Sequence, residues 1–196
     1  MRRRRSELAE MAARLLLSGE ARDWQGARRK ILAKHGPVDL VDQPDAADID
    51  AALSDRMRLF STPKLQLALT RKRRAALEAM RVLHAFEPRL SGPVLGGTAV
   101  EASPVELHVF ADRSEDVSVF LEDRGIPHQL RDISLVLRDG RRQRFPAILF
   151  EAGEDEFELI VFPSVDVQRP APFEPGASRP MLRADRGALS KLLAVA

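Results

Sequence analysis

Cysteine and tyrosine are both absent from the 196 residues of this chain. The lack of cysteine excludes disulfide bonds, thiolate metal sites and cysteine nucleophiles. Aromatic residues make up only 5% of the sequence. The single tryptophan, Trp24, lies in a helical stripe of apolar residues, which indicates a core position. Proteins that hold single-stranded nucleic acid stack its bases on aromatic side chains. This composition therefore argues against that mode of binding.

Long apolar runs are missing as well. The opening MRRRRSELAE resembles the basic start of a secretion signal, but Glu7 and Glu10 follow at once. The longest nearby apolar run is Leu15–Leu17, whereas a signal peptide needs a longer stretch and a membrane helix needs about 20 apolar residues. We therefore expect a cytoplasmic protein.

Several motifs of hydrolases are also absent. The sequence contains no His-Glu-x-x-His motif, no Walker loop and no Ser-His-Asp arrangement. Apolar residues make up 44% and charged residues 31%, which is ordinary for a globular domain and unlike a disordered chain. The length suffices for one sizeable domain, with or without an added helical layer.

Charge is distributed unevenly along the chain. Residues 1–85 hold 18 Lys and Arg against 11 Asp and Glu, whereas residues 86–196 hold 13 against 18. A basic layer next to a more acidic domain is typical of proteins that approach phosphates. The alternative, that arginines coat solvated helix faces, stays open.

The first 85 residues predict helices, because apolar residues recur at the helical period in three stripes within 8–16, 24–32 and 49–60. Thr62-Pro63 predicts a fourth helix start, since a threonine cap precedes a proline whose fixed φ suits the first turn. That helix carries apolar residues on one face. Its other face is basic and is a candidate contact for nucleic-acid phosphates, through Arg71, Lys72, Arg73 and Arg74.

From residue 86 the apolar pattern alternates, which predicts strands. The predicted strands are 89–95, 105–111, 133–137, 145–150 and 156–162, with a helix at 114–124. Five prolines between Pro163 and Pro180 predict an extended segment. We therefore predict an α+β fold of three parts: a basic helical region at 1–85, a mixed sheet with flanking helices at 86–163, and a proline-rich extended tail with a short C-terminal helix at 164–196.

Alternation also predicts which side chains two of these strands display together. Glu106, His108 and Phe110 share one face of the first strand, and Glu156, Glu158 and Ile160 share one face of the second. If the two strands are neighbours, Glu106 and Glu158 point into the same space. Two such carboxylates can bind Mg²⁺, which prefers oxygen ligands and substrate phosphates. The alternative is that both glutamates are the solvated side of a half-exposed sheet.

A glycine-rich turn precedes the first of these strands, in SGPVLGGTAV (91–100). Gly92, Gly96 and Gly97 would let the backbone approach a phosphate closely, and Thr98 offers a hydroxyl. These four residues are therefore candidate nucleotide-binding residues. The glycines could instead serve only a tight turn.

Residues 87–162 resemble the DNA polymerase beta-type nucleotidyltransferase superfamily. The family pattern is a Gly-Ser pair, about ten residues, then Asp-hydrophobic-Asp-hydrophobic, with a third acidic residue on a later, adjacent strand; in this chain glutamates replace the usual aspartates. Gly92-Pro93 falls where the Gly-Ser pair is expected, Pro104 on the first acidic position, Glu106 on the second and Glu158 on the third. The stretch 96–103, GGTAVEAS, is similar to the usual link between the two motifs.

The resemblance implies a mixed-sheet nucleotidyltransferase fold, a nucleoside triphosphate as substrate, and Mg²⁺ held by the catalytic carboxylates Glu106 and Glu158. Pro104 cannot coordinate a cation, so we expect a protein that binds a nucleotide with Mg²⁺, with metal binding weakened and transfer impaired. The alternative function is a non-catalytic module on the same fold that binds nucleic acid or another protein.

Overall fold

The structure, a computed structural model, describes residues 2–18, 20–21, 24–36, 38–60, 63–173 and 180–195. Helices pack with a five-stranded mixed sheet, which confirms the predicted α+β fold. The α-helices are α1 (Arg2–Leu17), α2 (Trp24–His35), α3 (Ala46–Phe60), α4 (Pro63–Val82), α5 (Gly92–Gly96), α6 (Ser114–Glu122) and α7 (Arg186–Val195). The strands are β1 (Arg89–Leu90), β2 (Val105–Phe110), β3 (His128–Val136), β4 (Arg142–Ala152) and β5 (Asp155–Phe162).

Helix α4 begins at Pro63, and its predicted cap Thr62 lies outside the described residues. Within the described ranges, no helix has both the length and the apolar composition that a membrane crossing requires.

Helices α1, α2 and α3 pack around a core of their own, which we call the helical layer. Ala12, Ala27 and Ile49 are fully buried at the contacts between these helices, as the helical stripes predict. Small alanines allow close approach of the helices, and their burial removes apolar surface from water. The layer is therefore a separate hydrophobic cluster, confined to residues 8–57.

Helix α4 belongs to the core of the sheet. Ala76 and Met80 of α4 are buried in one cluster with Leu107 of β2 and Leu159 of β5. The division between the two hydrophobic cores consequently lies between α3 and α4, whereas the sequence pattern groups α4 with the helical region 1–85. The physical reason is that the apolar stripe of α4 covers the sheet, whereas its sequence pattern is the same as that of a helix packing on other helices.

The sheet has the strand order β1-β2-β5-β4-β3. Strands β2 and β5 run parallel at its centre, and the other neighbours are antiparallel. A parallel pair needs a long crossover connection, which here contains α6 and the β3–β4 hairpin. The two strands are therefore far apart in the sequence and adjacent in the fold.

The two faces of the sheet have different environments. On the helix-covered face, β2 and β5 contribute Val105, Leu107, Phe157 and Leu159 to a cluster with α4, α6 and α7. On the opposite face, one half is an apolar cluster that includes Phe110, Phe145, Ile160 and Phe162. The other half of that face, at the start of β2 and β5, carries the polar side chains.

After Leu90, the structure differs from the strand that the sequence predicts. The predicted strand 89–95 ends at Leu90, and Gly92–Gly96 forms the short helix α5. Ser91 is extended at its start, Pro93 suits its first turn, and Gly97 ends it with φ +80°. Local proline and glycine conformation overrides the alternating apolar pattern at this point.

The segment after β5 is docked on the sheet. Phe173 forms an isolated bridge with Val136 of β3, and Ala184 forms one with Leu90 of β1. The last helix, α7, has Leu189 fully buried in the main core. The terminal helix is α7, whereas the segment predicted as extended begins with a 3-10 turn at Ser164–Asp166; the described parts of both contribute to the packing of the sheet.

A buried ion pair joins α4 to the start of β5. Lys72 Nζ lies 2.8 Å from Asp155 Oδ1, and the two residues are 1% and 4% exposed. Arg71 Nη1 lies 3.2 Å from the other oxygen of Asp155. Removing one partner of a buried pair leaves a charge without compensation, which is far more costly than removing a surface pair.

We predict that Asp155→Ala lowers the free energy of unfolding by about 3–5 kcal/mol, because it leaves the ammonium of Lys72 buried without a carboxylate. Chemical denaturation measures the loss. Glu154→Ala is the matched control, since this neighbouring carboxylate also pairs with Arg71 but its side chain is 82% exposed. Equal stability of the two variants would contradict the prediction.

Candidate functional site

A cleft of about 1110 Å³ lies over the polar half of the sheet. Its floor consists of side chains from β2, β3, β4 and β5, and the helical layer contributes part of its wall. The wall residues from that layer are Leu16, Trp24, Gln25, Asp50 and Leu53. The cleft therefore lies where the sheet and the helical layer meet, and residues from both can contact a ligand.

Glu106 and Glu158 are register partners on the parallel strands β2 and β5. Neighbouring strands are about 4.8 Å apart, and both side chains line the cleft. Both are also shielded, with side-chain exposures of 13% and 11%. The condition set by the sequence is therefore met: the two strands are neighbours, and their glutamates face one space.

Each of these carboxylates has a partner of its own. Glu158 Oε1 accepts a hydrogen bond from Nη2 of Arg131 on β3, which is half-exposed in the cleft. The guanidinium compensates the charge of a largely buried carboxylate. It also supplies a cationic group, next to the two glutamates, that can meet an anionic ligand.

Glu106 lies between His108 and the glycine turn. Its Oε1 is 3.2 Å from Nε2 of His108. Its Oε2 lies against Gly92, where the Cβ of any larger residue would stand only 3.1 Å from that oxygen and 3.3 Å from the Cβ of Glu106. Gly92 also has φ +65°, a backbone conformation that favours glycine. Both the nearby glutamate and the backbone conformation therefore favour glycine at this position.

His108 is completely buried. Burial lowers the pKa of its imidazole below the ordinary value, despite the opposing effect of Glu106, and the charge of Arg183 lowers it further. Both ring nitrogens are used, since Nδ1 lies 2.7 Å from Nε of Arg183. His108 is not among the residues that line the cleft, so it supports Glu106 from below.

The glycine-rich turn contributes less to the cleft than the sequence predicts. Thr98 lines it, together with Pro93, whereas none of Gly92, Gly96 and Gly97 is among its described lining residues. The reason is that 92–96 is helical and the turn at Gly97 faces Arg73. Of the four candidate nucleotide-binding residues, the structure brings Thr98 to the cleft, and Gly92 acts through Glu106.

Pro104 lies just before β2 and lines the cleft. It precedes Glu106 by two residues, which is the spacing that puts alternate side chains on one face of an extended chain. A carboxylate at this position would join the two glutamates, and proline supplies none.

The basic face predicted for α4 is wrong for two of its four residues. Lys72 is buried against Asp155, and Arg73 is 8% exposed. Arg73 donates from Nε to the carbonyl of Val94 at 3.1 Å and from Nη2 to that of Leu95 at 3.4 Å, and so satisfies the last carbonyls of α5. Both cations therefore pair with acceptors inside the protein. The sequence pattern of the helix does not indicate these acceptors.

The other two residues of that face differ from each other. Arg71 pairs with three carboxylates, those of Glu101, Glu154 and Asp155, and Arg74 is exposed. Only part of the predicted basic surface is therefore open to an anionic partner.

The fit of a divalent cation can be judged from the donor set. Among the described residues, no three His, Asp or Glu side chains are grouped closely enough to hold an ion. Mg²⁺ is commonly held by one or two carboxylates, with substrate phosphates and water completing an octahedral shell. Glu106 and Glu158 could supply the two carboxylates. The other ligands of such a cation would have to include phosphate oxygens.

Sequence reasoning missed two arginines of the site. Arg131 was missed because β3 begins at His128 and not at 133, and extending the alternation back from Ile133 would have placed it on the cleft face. Arg183 lies between the proline-rich segment and α7, where no periodicity exists to indicate which side chain turns inward. Trp24, predicted as core, is partly buried in the helical layer and also lines the cleft.

Comparisons with protein-family models, with curated proteins and with solved structures gave no match to this chain.

We predict that Gly92→Ala destabilises the protein more than Gly153→Ala does. Both glycines have positive φ, +65° and +63°, so each variant carries the backbone strain of about 1–2 kcal/mol for a side chain there. Only at Gly92 does the new methyl also meet Glu106, since nothing lies within 4 Å of a Cβ at Gly153. Thermal unfolding of both variants measures the difference. Losses of the same size would show that Glu106 does not press on the turn.

Proposed function

We propose that this protein is a divergent member of the DNA polymerase beta-type nucleotidyltransferase superfamily that binds a nucleoside triphosphate with Mg²⁺ in the cleft. The observation that carries the proposal is the register of β2 and β5, in which Glu106 lies opposite Glu158 with both side chains in the cleft. In the family that residues 87–162 resemble, the metal carboxylates lie on two adjacent strands of a mixed sheet, as these two glutamates do.

The size of the cleft supports a ligand of this class. Its volume of about 1110 Å³ is slightly above the range typical of small-molecule sites, about 300–1,000 Å³, and therefore leaves room for a ligand as large as a nucleotide. Its wall is partly apolar, with Leu16, Trp24 and Leu53, and its floor carries charge. A nucleotide has the same division, with an apolar base and an anionic phosphate chain.

The charged groups of the floor suit a phosphate chain with a bound cation. Glu106 and Glu158 would hold Mg²⁺, which would supply positive charge to compensate that of the phosphates. Arg131 pairs with Glu158, and its planar guanidinium is equally suited to phosphate oxygens. Arg131 would be available to phosphate oxygens if the charge of Glu158 were met by a cation.

Transfer of the nucleotidyl group is expected to be impaired. In the two-metal scheme of this reaction type, carboxylates activate the attacking hydroxyl and stabilise the leaving phosphate through two ions. This chain offers two carboxylates, with Pro104 near the place of the third. The protein is therefore expected to bind the nucleotide more effectively than it transfers it.

Calorimetric titration with each nucleoside triphosphate, with and without Mg²⁺, tests the proposal. We expect binding that requires both components, because two carboxylates hold Mg²⁺ weakly without phosphate ligands. Glu106→Gln and Glu158→Gln should each weaken binding about tenfold or more, since the loss of a charge-assisted contact costs about 1.5–3 kcal/mol. Emission of Trp24, the single tryptophan, provides a second readout from the cleft.

Glu151→Gln is the control for these two variants. Glu151 also lines the cleft, but it pairs in register with Glu156 and not with Glu106 or Glu158. Its loss should leave the affinity within about twofold of wild type, because an exposed charge outside the cation site contributes little. Failure of all four triphosphates to bind the wild-type protein would refute the proposed function.

A second test restores the missing carboxylate. We predict that Pro104→Asp raises the affinity for Mg²⁺ with a nucleoside triphosphate about tenfold, because a third oxygen ligand joins Glu106 and Glu158. Pro104→Ala is the matched control, since it removes the proline without adding a ligand. If the Asp and Ala variants bind with the same affinity, position 104 is not part of a cation site.

A further inference from the structure

Three side chains form a continuous chain of contacts from the C-terminal segment to the cleft. Nε of Arg183 lies 2.7 Å from Nδ1 of His108, and Nε2 of His108 lies 3.2 Å from Oε1 of Glu106. The histidine in the middle is completely buried, so water cannot supply either of its two partners. The direction of each hydrogen bond is therefore decided by the chemistry of the end groups.

Arginine determines that direction. A guanidinium carries only donors, so Nδ1 of His108 must be the acceptor and cannot carry a proton. A doubly protonated imidazole and the tautomer with its proton on Nδ1 are both incompatible with this contact. The single proton of a neutral His108 must be on Nε2, from which it is donated to Glu106.

Arg183 is held firmly enough to impose this choice. Its guanidinium lies 4.6 Å from the ring centre of Phe162 and 5.1 Å from that of Phe110. Its Nη1 donates to the carbonyl of Arg169 at 3.2 Å. Desolvation is the main cause that lowers its pKa to about 10, at which the side chain is still charged at neutral pH.

The backbone on both sides of Arg183 is fixed to the sheet edge. The N–H of Ala184 donates to the carbonyl of Leu90 at 2.9 Å, and the N–H of Leu90 donates back to Ala184 at 2.8 Å. The hydroxyl of Ser91 donates to the carbonyl of Leu182 at 2.7 Å. The position of the guanidinium is thus determined by main-chain pairing and not by a flexible loop.

We propose that Arg183 is a positioning residue of the cleft, which fixes His108 as the Nε2–H tautomer and thereby holds the carboxylate of Glu106 ready for its ligand. Without Arg183, His108 can carry its proton on Nδ1. The lone pair of Nε2 would then face the anionic oxygen of Glu106, and Glu106 would lose the hydrogen-bond donor that His108 provides. The part of the inference that concerns ligand affinity rests on the proposed function; the tautomer does not.

The tautomer is tested directly on the protein without ligand. Long-range ¹H–¹⁵N spectra distinguish protonated from unprotonated ring nitrogens, and a His108→Gln variant assigns the signals among the four histidines. We expect Nε2 of His108 to be protonated and Nδ1 unprotonated in the wild-type protein. A protonated Nδ1 would overturn the inference whether or not the protein binds nucleotides.

Two substitutions test the role of the guanidinium. Arg183→Met removes the donor to Nδ1, so a proton on Nδ1 of His108 should become detectable, and binding of Mg²⁺ with a nucleoside triphosphate should weaken about tenfold, the loss typical when a partner of a metal ligand is removed. Arg183→Lys, which still donates but lacks the planar stack, should retain the tautomer and recover part of the affinity.

The matched control is Arg186→Met, which removes the same charge from an exposed position three residues later. It should change neither the ring signals nor the affinity. Wild-type ring signals in a folded Arg183→Met variant, or equal affinity of the Met variants at 183 and 186, would refute the inference. Absence of binding to wild type with the expected tautomer intact would instead refute the proposed function alone.

Discussion

Parallel pairing of β2 and β5 is the constraint on which the rest of the site depends. The pairing aligns residue 106 with 158 and carries the same alternation along both strands, so that one face becomes apolar core and the other bears the glutamates. A shift of one residue in this register would turn Glu158 into the helix-covered core. The buried apolar side chains of both strands therefore also specify the position of the carboxylates.

Two further contacts stabilise the pairing of β2 with β5. The ion pair of Lys72 with Asp155 fixes the first residue of β5 to α4, beneath the sheet. On the other face, Arg183 covers Phe110 and Phe162 at the far ends of the same strands. Cations thus contact the parallel pair at both ends, with Lys72 buried and Arg183 partly buried.

Strand periodicity made the glutamate pair predictable. The alternation at 105–110 and 156–162 assigns each side chain to one face of its strand without knowledge of the fold. The one further condition is that the two strands are neighbours in the sheet. The limits of this reasoning are equally local. The predicted strand at 89–95 failed because Gly92 and Pro93 start a helix, and the predicted basic face of α4 failed because Lys72 and Arg73 have long side chains that reach buried acceptors. Such pairings depend on tertiary neighbours that have no counterpart in helical periodicity.

The role of the C-terminal segment could not be predicted for a different reason. Proline-rich sequence indicates an extended backbone, but an extended segment without alternation does not reveal where it docks. The bridges of Phe173 to β3 and Ala184 to β1 depend on free strand edges. Pairing at a strand edge satisfies backbone hydrogen-bonding groups whatever the side chains are. No sequence pattern therefore predicts where the segment pairs.

The docking of Ala184 on β1 has a consequence for the order of folding. The helical layer has its core within residues 8–57, and such local contacts form fast. The glutamate pair forms only after β5 is present, and its histidine is oriented only when residue 183 has been synthesised and has closed against the sheet edge. A growing chain therefore acquires its two carboxylates first, and the contact between Arg183 and His108 forms last, after the segment that docks on β1 has been synthesised.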